Sequence, residues 1–151
     1  MSVNIMKVAI GADHRGVEYK SRVIKILNEL DYEVKDFGPN SEDPVDYPDF
    51  GLKVARAVAN GEVDYGITIC MTGNGMNIAA NKIKGIRAGL ALNAEMAYFT
   101  RLHNNANVLT LSSKYTNENE LKQILKEFFN TKFEGGRHIA RVQKIIDAEN
   151  N

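Results

Sequence analysis

The segment Gly66 to Lys82, GITICMTGNGMNIAANK, constrains the fold more than any other, because in it a buried apolar strand passes through a glycine-rich turn directly into a helix. A strand apolar on both sides fits a parallel sheet with helices on each face. Such strands end where α/β proteins bind ligands. The turn of Gly73, Asn74 and Gly75 leaves backbone N–H groups free to face an anion or a developing oxyanion. Cys70, the sole cysteine, stands at the switch from strand to turn.

The rest of the chain repeats this alternation. Residues 7–13, 33–37, 65–70, 87–92 and 108–113 read as strands. Between them Val23, Leu27 and Leu30 mark one helical face, and Val54, Ala57 and Val58 another. Leu121, Ile124, Leu125, Phe128 and Phe129 mark a third at i, i+3, i+4, i+7, i+8 spacing. Asn117 followed by Glu120 resembles a helix-start box. The pattern predicts an α/β fold, a doubly wound five-stranded parallel sheet with right-handed crossovers, as a single domain over 1–151. After Gly135 and Gly136 a last helix carries Arg137, His138, Arg141, Val142, Ile145 and Ile146 with no sixth strand behind it. Its apolar side has no place in a finished domain, and a second subunit would cover it.

Composition removes several classes of function. Lys and Arg number 19, as do Asp and Glu, so no basic field exists to hold nucleic acid or an anionic membrane. One cysteine makes no internal disulfide, and no cluster in the sequence shows zinc-ligand spacing. The start MSVNIMKV lacks the blocks of a signal peptide, and no apolar run approaches the ~20 residues that span a bilayer. A soluble protein of a reducing cytoplasm, without metal, is the expectation. Two cofactor motifs fail: Gly73-Asn74-Gly75 leads to Ile78 where a dinucleotide fingerprint wants a small residue, and Gly11 to Gly16 lacks the Lys-Ser/Thr of a P-loop.

The candidate chemical residues each admit a plain reading as well. Cys70 is either an inert buried thiol or a nucleophile or base; its place beside a helix N-terminus predicts a lowered pKa. Thr72 either shapes the turn or bonds the sulfur or a substrate oxygen. Asp13 and His14, at the end of the first strand, are a cap and a surface histidine or site residues on the edge that carries Cys70. His103 caps a helix C-terminus or acts on a proton. Arg137 and Arg141, four apart, form a solvated face or grip one phosphate, with Lys114 as a further positive charge.

Taken together, GADHRG at 11–16, YPDF at 47–50, CMTGNGMNIAANK at 70–82, GIRAGLA at 85–91, HNNANVL at 103–109 and GGRHIARV at 135–142 resemble the ribose-5-phosphate isomerase B family, which includes galactose-6-phosphate isomerase subunits. The resemblance implies a cytoplasmic, cofactor-free and metal-independent aldose-ketose isomerase with a Rossmann-like fold. It also implies a homodimer or dimer of dimers, with active sites and the C-terminal helix at the subunit interface. By it, Cys70 moves a proton between C1 and C2 of the open-chain sugar phosphate, since Met76 cannot replace the carboxylate that one branch uses there. Thr72 would orient sulfur and substrate, and the amides of Gly73, Asn74 and Gly75 would stabilise the enediolate. His103 would open the furanose ring, Asp13 and Asn104 would contact sugar hydroxyls, and His14, Lys114, Arg137 and Arg141 would hold phosphate. Met71, Arg15, Lys114 and Asn105 depart from the family's usual residues, and Met71 bears on substrate length. The activity implied is interconversion of ribose 5-phosphate and ribulose 5-phosphate; a hexose-6-phosphate (allose or galactose) isomerase and a nucleotide-binding regulatory module are the alternatives.

Overall fold

A computed structural model describes residues 5–150. Five strands, β1 (Lys7–Ala12), β2 (Glu33–Asp36), β3 (Tyr65–Cys70), β4 (Ala88–Ala91) and β5 (Val108–Ser112), form one sheet of order β2-β1-β3-β5-β4. Every pairing is parallel, with Val8 opposite Val34, Ile10 opposite Ile67, Ile67 opposite Leu109 and Leu90 opposite Thr110. Strands fall where the apolar runs predict them, shortened by a residue at one or both ends in β1, β2, β4 and β5.

Both faces are covered, as an all-parallel sheet requires. Helices α1 (Val17–Glu29), α4 (Ala94–Asn104) and α5 (Leu121–Asn130) bury Val23, Leu27, Ala97, Ile124, Leu125 and Phe128 against Val8, Ile10, Ile67, Ile69, Leu109 and Leu111. Helices α2 (Tyr47–Ala59) and α3 (Asn74–Asn81) close the other face with Val54, Ala55, Ala57 and Ala80 over Ala9 and Val108. That second face is built for close approach: a Cβ on Gly66 would come within 2.6 Å of Val54.

Before α5 the chain makes a short turn of 3₁₀ helix, Glu118–Glu120, and Asn117 caps it by accepting from Asn119 N at 3.0 Å. The expected box is only half formed. Asn117 N donates to Leu92 O, and Glu120 Oε2 accepts from the Asn117 side chain instead. The last helix, α6 (Arg137–Ala148), buries His138 and Val142 against its own chain and leaves Ile139 and Ile145 59% and 51% exposed. So only part of its apolar side wants another cover.

Lys20 is 2% exposed inside α1, an arrangement nothing in the sequence announces. Its Nζ donates to Asp36 Oδ1 at 2.7 Å, Pro39 O at 2.8 Å and Asn40 Oδ1 at 3.3 Å. Asp36 Oδ1 also accepts from Gly38 N, and Gly38 O accepts from Ala12 N. One buried ammonium thus pins the chain leaving β2 against the end of β1. Lys20→Met keeps the apolar stem and deletes these bonds, leaving Asp36 without its cation and with Gly38 N as its remaining donor, and is expected to cost about 2 kcal/mol. A urea midpoint equal to wild type would show that the loop holds without it.

Candidate active site

The order β2-β1-β3-β5-β4 reverses direction between β1 and β3, and the crevice beyond their C-terminal ends is the place where open α/β sheets receive ligands. Asp13 and Cys70 lie there side by side. Asp13 N donates to Ile69 O at 2.9 Å, and Met71 N donates to Asp13 Oδ2 at 3.3 Å, so the two strand exits are tied together. Asp13 is 9% exposed, and its Oδ1 is buried with no hydrogen-bond donor. His14 follows in a short 3₁₀ turn, half-buried, with Nδ1 accepting from Val45 N.

Beyond Cys70 the chain turns on Gly73, whose φ of +85° suits glycine alone, and enters α3 at Asn74. Thr72 Oγ1 accepts from Asn74 N at 3.2 Å and holds the turn. Gly75 leaves room for the Tyr47 ring, since a Cβ there would approach Tyr47 Oη to 2.5 Å. Tyr47 opens α2 within YPDF, yet no periodicity points to its contact with this turn. From β5, Ser112 Oγ donates to Met71 O at 2.6 Å and Lys114 N donates to the same carbonyl at 3.1 Å. Lys114 itself is exposed, its Nζ lying over the Tyr115 ring at 5.4 Å from the centroid. Met71 is 39% exposed, and Arg15 Nη1 sits 3.6 Å from its Sδ.

Cys70 is 5% exposed, and burial pushes its thiol pKa up from the ordinary value. The amides of Met76, Gly73 and Gly75 favour the thiolate, and the Asp13 carboxylate opposes it. This reverses the lowered pKa expected from the helix N-terminus: desolvation outweighs three aligned amides, and none of these influences is cationic.

The remaining candidates lie elsewhere. Helix α4 leaves the C-terminal edge after β4 and returns to the opposite edge where β5 starts, a run of about 16 Å for its length. His103 and Asn104 are at its far end. There His103 stacks on His138 with ring centroids 4.2 Å apart and 14° between planes, and Glu134 Oε2 lies 3.6 Å from Nε2 of each. Arg101, buried, holds this corner through Ala106 O, Asn105 Oδ1 and Thr131 O. Arg137 and Arg141 are exposed on α6 beside His138. Within one chain, then, Asp13, His14, Cys70, Thr72, Gly73, Asn74, Gly75 and Lys114 gather at one end of the sheet. His103, Asn104, Arg137 and Arg141 gather toward the other.

A family model described as Ribose/Galactose Isomerase matches residues 8–145. The chain belongs to this family. It is 43% identical over 143 residues to the ribose-5-phosphate isomerase B of Escherichia coli, covering 95% of this chain and 96% of that one. The solved ribose-5-phosphate isomerase B of Clostridium thermocellum superposes with a TM-score of 0.93 at 47% identity, covering 96% of this chain and 98% of its own. That of Mycoplasma genitalium, solved with bound ribulose-5-phosphate, gives 0.91 at 40% identity over 98% and 99% of the two chains. Among the described residues of this family member no helix is long and apolar enough to cross a membrane.

Because Cys70 is both buried and held protonated, its alkylation by iodoacetamide should be slow at neutral pH and should accelerate as pH rises through and beyond the ordinary thiol range. Mass spectrometry of the intact protein reads the rate. A rate that is already maximal at pH 6 would show a thiolate and contradict the dominance of burial.

Proposed function

We propose that the chain interconverts ribose 5-phosphate and ribulose 5-phosphate through a cis-enediolate, with Cys70 as the base. The observation that carries the reading is the group at the β1–β3 switch point: a sulfur facing three backbone amides, beside a carboxylate oxygen that lacks a donor. A sugar hydroxyl satisfies Asp13 Oδ1. The thiolate takes the proton from C2, the C1–C2 double bond forms, and charge moves to O1. Cys70 then delivers a proton to C1, partly exchanged with solvent while it is held on sulfur, and the O2 proton passes to O1. Thr72 orients the turn by holding Asn74 N–H, so the amides of Gly73, Gly75 and Met76, and not that of Asn74, stabilise charge on the enediolate. A thiol of raised pKa is the stronger base once ionised, at the expense of its ionised fraction.

Ring opening by His103, a hydroxyl contact from Asn104 and phosphate binding by Arg137 and Arg141, with His14 and Lys114, require these residues to meet Cys70. His14 and Lys114 already share the Cys70 end of the sheet, whereas the length of α4 keeps His103, Asn104, Arg137 and Arg141 away from it within one chain, so a second copy supplies those four, as a homodimer or a dimer of dimers in a reducing cytoplasm without cofactor. Exposed Ile78, Met96, Phe99, Ile139 and Ile145 support such an interface. The partner's cations would also lower the Cys70 pKa that burial raises.

Cys70→Ala is expected to lower kcat by about 10³-fold and to stop exchange of the C2 proton with solvent deuterium. His103→Asn should slow the cyclic substrate and spare a linear one. Mixing the two variants under subunit exchange should restore turnover, because each hybrid keeps one site with both residues. Hybrids as inactive as the parents would sink the shared site.

Met71 stands at the crevice where the length of the sugar is measured, and its bulk favours the five-carbon substrate. Compared side by side, kcat/KM should be higher for ribose 5-phosphate than for allose 6-phosphate or galactose 6-phosphate. A preference for either hexose phosphate would reassign the substrate and leave the proton transfer standing.

A further inference from the structure

The two stacked histidines and the carboxylate at the far end of α4 form a group that the isomerase chemistry does not use as a unit. His103, Glu134 and His138 each offer one ligand atom, and these atoms lie within 4.8 Å of one another. Glu134 Oε2 is 3.6 Å from Nε2 of both rings. Ligand atoms at ~2.1 Å around a tetrahedral zinc ion stand ~3.4 Å apart, so each of these two edges needs a change of only ~0.2 Å. Both Nε2 atoms lie at the same distance from that oxygen, and since the lone pairs of stacked rings run nearly parallel, metal binding requires the half-buried His103 ring to swing out of the stack and direct its lone pair onto the ion.

We infer that His103, Glu134 and His138 constitute a divalent-metal site of the zinc type, with two imidazole nitrogens, one carboxylate oxygen and an open fourth position. The donor set is that of a three-ligand zinc site. His138 Nε2 accepts from Arg137 Nε at 3.5 Å, so this nitrogen carries a lone pair and gives up only a long hydrogen bond to the metal. The fold also holds the donors in place: Glu134 N donates to Leu102 O at 2.9 Å, and Arg101 fixes the end of α4. Arg137 and Arg141 repel a cation, which weakens the site.

The spacing in sequence conceals the site. Glu134 and His138 are four apart across a glycine pair, Glu134 lying in the connection before α6 and His138 within it, and His103 comes from α4. A consequence rests on the ring-opening role proposed for His103: zinc on its Nε2 blocks proton transfer, so the metal acts as a reversible inhibitor.

The test is titration of the full-length protein with Zn²⁺ by calorimetry, and with Co²⁺ by its visible spectrum, in Cys70→Ser so that the thiol contributes nothing. One ion per chain with tetrahedral cobalt bands is expected. Glu134→Gln and His138→Gln should each weaken binding at least about 100-fold, since even outer-shell losses cost 10- to 100-fold. Equal affinity in either variant, or no binding at millimolar zinc, overturns the site. With Cys70 restored, zinc should inhibit turnover of the cyclic substrate, and Glu134→Gln should keep its basal rate and lose the inhibition. Binding without inhibition confirms the metal site and counts against ring opening by His103 alone.

Discussion

A parallel strand satisfies its backbone along the ladder but not at its exit, and the way this chain settles the amides and carbonyls just beyond β3 and β5 determines the rest of the structure. Met71 N goes to the Asp13 carboxylate, and Met71 O receives Ser112 Oγ and Lys114 N. Cys70 O receives Ser113 N. Thr116 Oγ1 accepts from Ser112 N and donates to Ala91 O, binding the exits of β5 and β4. With these groups paired to neighbouring strands, the amides of Gly73, Gly75 and Met76 remain for the sulfur. The crevice is what is left over once the strand ends are satisfied.

The same amides serve negative charge at two moments. In the free protein they favour the thiolate, against a burial that wins. In the proposed reaction the sulfur takes a proton and the charge passes to the sugar oxygens, where donors already fixed by the turn would receive it. Fixed donors cost no reorganisation at that step, which is why a glycine turn held by Thr72 and packed against Tyr47 suits the reaction better than a mobile loop.

The two ends of the sheet have different electrostatic characters. One end gathers Asp13 and a protonated thiol, and the other gathers Arg137, Arg141 and two stacked imidazoles. In the proposed pairing of copies, the cations of one end would be set beside the sulfur and carboxylate of the other, adding to Lys114 and Arg15 there. Glu134 faces both imidazoles as a carboxylate, which gives it interest both as a counter-charge and as a ligand.

The sequence by itself determined the class of fold, because an apolar period of two or a continuous apolar run alternating with a period of 3.6 has few packed solutions. The faces of α1, α2 and α5 read from Val23, Leu27, Val54, Ala57 and Leu121 to Phe129 are buried as the spacing requires. The strand-end residues Asp13 and Cys70 were legible as neighbours, since parallel strands all finish on one edge. What only the tertiary structure decided depends on contacts between distant segments: the buried Lys20, the Tyr47 ring on Gly75, and the Ser112 and Thr116 bonds across strand ends. It also decided the sign of the Cys70 shift, because desolvation depends on how much protein surrounds the sulfur and helix position does not report it. The gathering of His103, Glu134 and His138 is of the same kind: local spacing cannot disclose a cluster that the return of α4 and the start of α6 create in space.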